Sequence, residues 1–109
     1  MATTYKVLGQ SNPSATTLTT LYTVPSATQT VVSTIVVCNQ AASAATFRIA
    51  VRPAGATLAA QHYVAYDVTV GASDSTALTL GLTLGATDVI TIYGSTATLS
   101  FSAYGSEIA

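Results

Sequence analysis

The sequence predicts an all-β chain folded as a single antiparallel β-sandwich of about eight strands, in a jelly-roll or an immunoglobulin-like arrangement. Three observations predict it. Apolar and polar residues alternate with a period of two in several segments, the pattern of a strand with one buried face. Val, Ile and Thr dominate those segments, and Thr, Ala and Ser make up nearly half of the chain. Helical periodicity is confined to "TLAAQH" after Thr57, enough for a single turn.

Strands are expected at about 4–10, 18–24, 30–39, 45–53, 63–70, 75–84, 88–94 and 98–108. The first two are set off by "NPSATT" from Asn12 and "VPSATQ" from Val24. The third carries the run Val31 to Val37, apolar on both faces, and reads as a central strand. In the fourth, Phe47, Ile49 and Val51 share one face while Arg48 and Arg52 share the other. The fifth alternates through Val64, Tyr66, Val68 and Val70, and the sixth through leucines 78, 80, 82 and 84. "GATD" from Gly85 precedes the seventh, and Leu99, Phe101 and Ala103 line one face of the eighth. The two Pro-Ser-Ala-Thr turns and the "GASD" and "GATD" turns are not read as duplicated modules, because the strands between them differ and tight connections select these residues unaided. Asp74 and Asp88 are expected to accept backbone hydrogen bonds there.

The 109 residues suit one domain, 1–109, with residues 1–6 as a candidate N-terminal arm. Such a length buries roughly two thirds of the unfolded chain's surface. Hydrophobic residues reach 50% but charged ones only 6%, against about 25% in ordinary soluble domains. With 20 Thr, 19 Ala and 11 Ser, hydroxyl and methyl groups do the surface work of Lys and Glu. Such a surface is cheap to desolvate and suits a protein packed against others. The net charge of −1 gives no footprint for nucleic acid. No membrane partner is expected, since the most apolar window, "VVSTIVVCN", is too short to span a bilayer. "MATTYKVLGQ" lacks signal-peptide features, and synthesis and folding in a cytoplasm are expected. The single cysteine, Cys38, reads as a small buried hydrophobe.

Catalytic chemistry finds little support. His62 is the lone histidine, and no G-x-S-x-G elbow accompanies the many serines. Asp67, Asp74, Asp88 and Glu107 are scattered singly, so neither a metal site nor a carboxylate pair is expected, and no glycine pattern fits a phosphate. The chain reads as a non-enzyme without cofactor, with catalytic, cofactor-binding and metal residues all none. What remains are interface candidates: Arg48, Arg52, Tyr63, Tyr104, Tyr5 and Lys6. Arg48 and Arg52 stand about 13 Å apart along one strand face, each either paired with an acid such as Asp67 or aimed at another subunit. Tyr22, Tyr66 and Phe101 fall in phase with apolar neighbours and are expected in the core, whereas Tyr63 and Tyr104 fall out of phase. Tyr5 and Lys6 belong to the candidate arm, which would add a strand to a neighbour's sheet edge.

The stretches "LYTVPSATQTVVSTIVVCN", "RIAVRPAGA", "YDVTV", "LTLGLTLGATDVI" and "LSFSAYGSEI" resemble small β-rich virion structural proteins of tailed bacteriophages, including cyanophages, in which such chains are capsid cement (decoration) proteins. The likeness runs from about Leu8 to Ile108. It implies a homo-oligomer, a trimer favoured, bound to the major capsid protein on the outside of the head, where it stabilises contacts between capsid subunits. Related modules in tails or fibres imply an alternative, recognition of a host receptor or glycan. No set of functional residues transfers with the resemblance.

Overall fold

The computed structural model describes residues 2–109. Nine strands follow one another: β1 (Thr3–Ser11), β2 (Thr19–Thr23), β3 (Gln29–Asn39), β4 (Ala45–Arg52), β5 (Tyr63–Val70), β6 (Ser75–Leu78), β7 (Leu82–Leu84), β8 (Val89–Gly94) and β9 (Leu99–Ile108). All pairings are antiparallel, and the strands form two packed sheets. One sheet runs β1-β9-β3-β6, with β7 also on β3, and the other runs β2-β8-β4-β5. Taking β6 and β7 as one interrupted strand, first pairs with last, second with second-last, and so inward. That nesting is the jelly roll, and it excludes the immunoglobulin-like alternative.

The expected strand 75–84 breaks at Gly81, whose φ of +61° is a left-handed conformation that glycine adopts without strain. Leu78 and Leu82 are half-buried and Leu84 is buried, but Leu80 is exposed between the two halves. Both halves still pair with β3, β6 along Ile35–Cys38 and β7 along Thr30–Val32. β3 is therefore central, as its two apolar faces predict.

The core lies between the sheets. Phe47 and Ile49 of β4, Ile90 and Ile92 of β8, Ile35 and Val37 of β3, and Leu99, Phe101 and Ala103 of β9 are essentially inaccessible. Each large side chain among them contributes about 1.5–3 kcal/mol by leaving water. Phe47 and Phe101 meet edge to face at 6.1 Å and tie one sheet to the other.

Two polar groups of residues close the sandwich at opposite ends of β3. At its start, the Tyr22 hydroxyl reaches from β2 across the core to donate to Glu107 Oε2 at 2.5 Å, and it shares a hydrogen bond of 2.8 Å with the Thr30 hydroxyl. Lys6 Nζ completes the group on Glu107 Oε1 at 3.2 Å. Burial, then the bond to Glu107, pushes the Tyr22 phenol up to about 12, while the Tyr22 hydroxyl and then Lys6 hold Glu107 below its usual range. At the other end, the buried Asn39 amide donates to the carbonyls of Ser43 (2.9 Å), Gly71 (3.2 Å) and Val70 (3.3 Å). Its Oδ1 accepts from the Ala41 N–H and the Thr98 hydroxyl, both at 3.0 Å. Among the described residues no buried side-chain polar atom lacks a partner.

Residues 2–6 of the candidate arm lie in the sheet rather than reaching outward. Thr3 to Lys6 pair with Gly105 to Ile108, and Ala2 exchanges two hydrogen bonds with Ala109. Met1 lies outside the described residues. Cys38 is half-buried, not buried, because it alternates outward between the inward Val37 and Asn39.

Candidate functional site

The six interface candidates separate onto different parts of the fold. Arg48, Arg52 and Tyr63 belong to the β2-β8-β4-β5 sheet, and Tyr5, Lys6 and Tyr104 to the β1-β9-β3 side of the other.

On the outer face of β4, Arg48 is fully engaged. Its Nε donates to Asp67 Oδ1 at 2.6 Å and its Nη2 to Oδ2 at 3.3 Å, a bidentate pair. The hydrogen bond to Asp67 raises the guanidinium's hold on its proton still further. Its carbon lies 4.2 Å from the centre of the Tyr66 ring and 4.4 Å from that of Tyr93. Tyr93 is the cross-strand neighbour of Arg48 on β8, and Tyr66 and Asp67 come from β5 on the other side. Arg52 donates from Nε to the Thr91 hydroxyl at 3.0 Å and from Nη1 to the carbonyls of Ala56 (3.0 Å) and Gly55 (3.3 Å), which holds the 3₁₀ turn Pro53–Gly55 against the strand. The arginine pair thus fastens its own sheet, Arg48 through the acid that the sequence suggested.

Tyr66 was expected in the core and is instead 57% exposed. Asp67 explains it: with φ of +50° it inserts an irregularity between the pairs Phe47↔Val68 and Ile49↔Ala65. An extra residue exchanges inside for outside. Val68 and Val70 keep the inward phase after the bulge, while before it Ala65 takes that phase and Val64 and Tyr66 turn outward; a second irregularity, between the pairs Ile49↔Ala65 and Ala50↔Tyr63, leaves Tyr63 half-buried beside Tyr66. Tyr63 and Tyr66 then meet edge to face at 5.0 Å and, with Leu58, Ala59 and Ala60, line an open groove of about 480 Å³. Beside it, His62 Nδ1 accepts the Ala59 N–H at 3.0 Å and so fixes the 3₁₀ turn Ala60–His62, the one helical turn that the sequence suggested.

The outer face of the other sheet is different in kind. Tyr5 is 84% exposed, Val7 47% and Tyr104 37%. Val7 and Tyr104 are direct cross-strand partners, and Tyr5 lies opposite Ser106. Bulges sit on both sides of Tyr104, at Leu8 in β1 and at Ser33 in β3, and Ser33 Oγ donates to the Tyr104 carbonyl at 3.1 Å. These bulges bring the Val31 carbonyl so close to Gly105 that a Cβ there would collide with it. The result is a depression of about 510 Å³, bounded among others by Tyr5, Val7, Val31, Ser33 and Tyr104. Lys6 also borders the depression, but it alternates with Tyr5 and Val7 along β1 and its ammonium is held by Glu107. Arg48, Arg52 and Asp67 belong to the opposite sheet, Asp74 and Asp88 to turns, and Lys6 and Glu107 to the group around Tyr22.

Asp74 and Asp88 are turn residues as expected. Asp74 Oδ1 accepts the Ser75 N–H, and Asp88 accepts the N–H groups of Gly85 and Ala54, all at 2.8 Å. Sequence reasoning missed Tyr93 and Val7, because their roles depend on register across strands. No group of three or more His, Cys, Asp or Glu is placed to hold a metal ion among the described residues.

Comparison with protein-family models, curated proteins and solved structures finds no match to this chain.

Proposed function

We propose that this chain is a structural protein of a phage virion, a decoration (cement) protein that binds the outside of the head as an oligomer and strengthens contacts between capsid subunits. The observation that carries the reading is the uncharged outer face of the β1-β9-β3-β6 sheet, with Tyr5, Val7 and Tyr104 exposed on it. A face of hydroxyls, methyls and tyrosine rings loses little on leaving water and gains contact area with rigid side chains. A symmetric oligomer presents its capsid-binding sites in several copies, so each contact can be modest while the whole holds firmly. Jelly rolls build viral shells as well as lectins, an analogy of fold that agrees with the reading without deciding it.

The groove beside Tyr63 and Tyr66 favours a second reading, a tail or fibre module that binds a host glycan. Quantitative mass spectrometry of separated heads and tails distinguishes the two. Hundreds of copies on heads support decoration, few copies on tails support the fibre module, and absence from both refutes the virion assignment.

A further inference from the structure

We infer that the outer face of the β1-β9-β3-β6 sheet packs against the same face of a second copy of this chain. Three features of the face point to that occupant. First, the one charged residue at the depression, Lys6, is already paired with Glu107, so two identical faces meet with little like charge opposed. Second, the face approaches the size that a stable pair requires. Three strands of nine to eleven residues, with β6 (four residues) and β7 (three) sharing the fourth edge, span roughly 600 Å² in projection at about 4.8 Å between strands and about 3.4 Å per residue. Side-chain relief carries that toward the ~800 Å² of accessible surface that each partner of a standard interface buries. Third, relief and hollow sit side by side. The Tyr5 ring stands proud on β1, and the bulges at Leu8 and Ser33 sink the surface around Gly105 next to it, so each copy presents a projection and a recess to its mate.

A contact between identical patches is isologous, and it relates the copies by a twofold axis. The assembly is therefore built of pairs, where the resemblance to decoration proteins implies a trimer. The pairing takes the face that carries the virion reading as the oligomer's own contact, leaving a capsid to be met by other surfaces; absence from heads and tails removes the virion reading and leaves the contact standing.

The test measures mass by light scattering after gel filtration over a hundredfold range of concentration. It uses the wild-type chain, the double variant Tyr5→Ser with Tyr104→Ser, and Tyr66→Ser on the opposite sheet as control. The expected result is a mass of twice the 11.0 kDa chain for wild type and control, and at least tenfold weaker association for the double variant. A wild-type monomer throughout, or a double variant that pairs as well as wild type, overturns the inference. Because the double variant must fold to be informative, native Cys38 supplies a second reading on the unaltered chain. It lies half-buried on the same face, so its alkylation by iodoacetamide should slow severalfold as concentration rises into the paired range. A labelling rate that ignores concentration overturns the contact as well.

Discussion

Replacing Tyr22 by Phe removes one oxygen and leaves a ring of nearly the same shape, so the loss isolates the polar group at the start of β3. Two hydrogen bonds disappear, one to the Glu107 carboxylate and one shared with the Thr30 hydroxyl. Glu107 keeps Lys6, but Thr30, only 1% exposed, loses the partner that satisfied its hydroxyl. A bond to a charged group is worth about 1.5–3 kcal/mol, and an abandoned buried hydroxyl adds to it, so Tyr22→Phe should cost about 2–3 kcal/mol. For a domain of this length that corresponds to a fall in Tm of about 8–20 °C. Urea unfolding followed by circular dichroism, with thermal melts alongside, reads both quantities.

The pH dependence gives the same substitution a sharper signature. The folded-state phenol lies at about 12, above its ordinary 10.0, so its contribution is complete below pH 10 and is lost as pH rises toward 12. Glu107 is depressed below its ordinary 4.5, so its contribution is present above that value and is lost as pH falls beneath it. Tyr22→Phe should therefore lose the alkaline limb and shrink the acid one. A variant within 0.5 kcal/mol of wild type, or one whose pH profile parallels wild type at both ends, would refute the reasoning.

Other substitutions separate structural from surface roles. Asn39→Ala strands the Ala41 N–H, the Thr98 hydroxyl and three carbonyls, and should cost about 2–3 kcal/mol in urea unfolding, with increased hydrogen exchange in the loops after Asn39 and Val70. Gly105→Ala drives a methyl group toward the Val31 carbonyl and should destabilise by about 1–3 kcal/mol, visible as a lower urea midpoint. Arg48→Ala removes an exposed ion pair together with its stacking on Tyr66 and Tyr93, and should lower the urea midpoint only slightly, with the difference from wild type narrowing in high salt.

The strands were legible because alternation and turn chemistry are local properties. Phe47, Ile49, Leu99, Phe101 and Ala103 occupy the core that their phase predicts, and Asp74 and Asp88 hold the turns. Phase fails where the backbone inserts a residue without announcing it. Asp67 adopts a left-handed conformation that its neighbours in "YVAYDVTV" do not betray, and the one-residue slip sends Tyr66 to the surface. Gly81 did carry a visible signal, since an isolated glycine inside a strand pattern marks a break, yet the regular leucines on either side hid it. The choice between jelly roll and immunoglobulin-like sandwich depends on which distant strands meet, and no local pattern encodes that β1 pairs with β9 and β2 with β8. The group around Tyr22 was illegible for the same reason, because Tyr22 and Glu107 stand 85 residues apart.

The scarcity of charge acquires a meaning once each charged group is placed. Arg48 and Asp67 hold each other, Arg52 holds a turn, Asp74 and Asp88 accept backbone N–H groups, and Lys6 and Glu107 complete the group around Tyr22. All seven are thus engaged within the fold. Recognition by such a molecule falls to shape, hydroxyl groups and aromatic rings, since long-range attraction between opposite charges has almost nothing on which to act. A charge-steered partner would meet paired ions on the β4–β5 side and a neutral sheet on the other. A neutral, contoured partner would find its match on the face that carries Tyr5 and Tyr104, and the second copy inferred above meets this condition by construction.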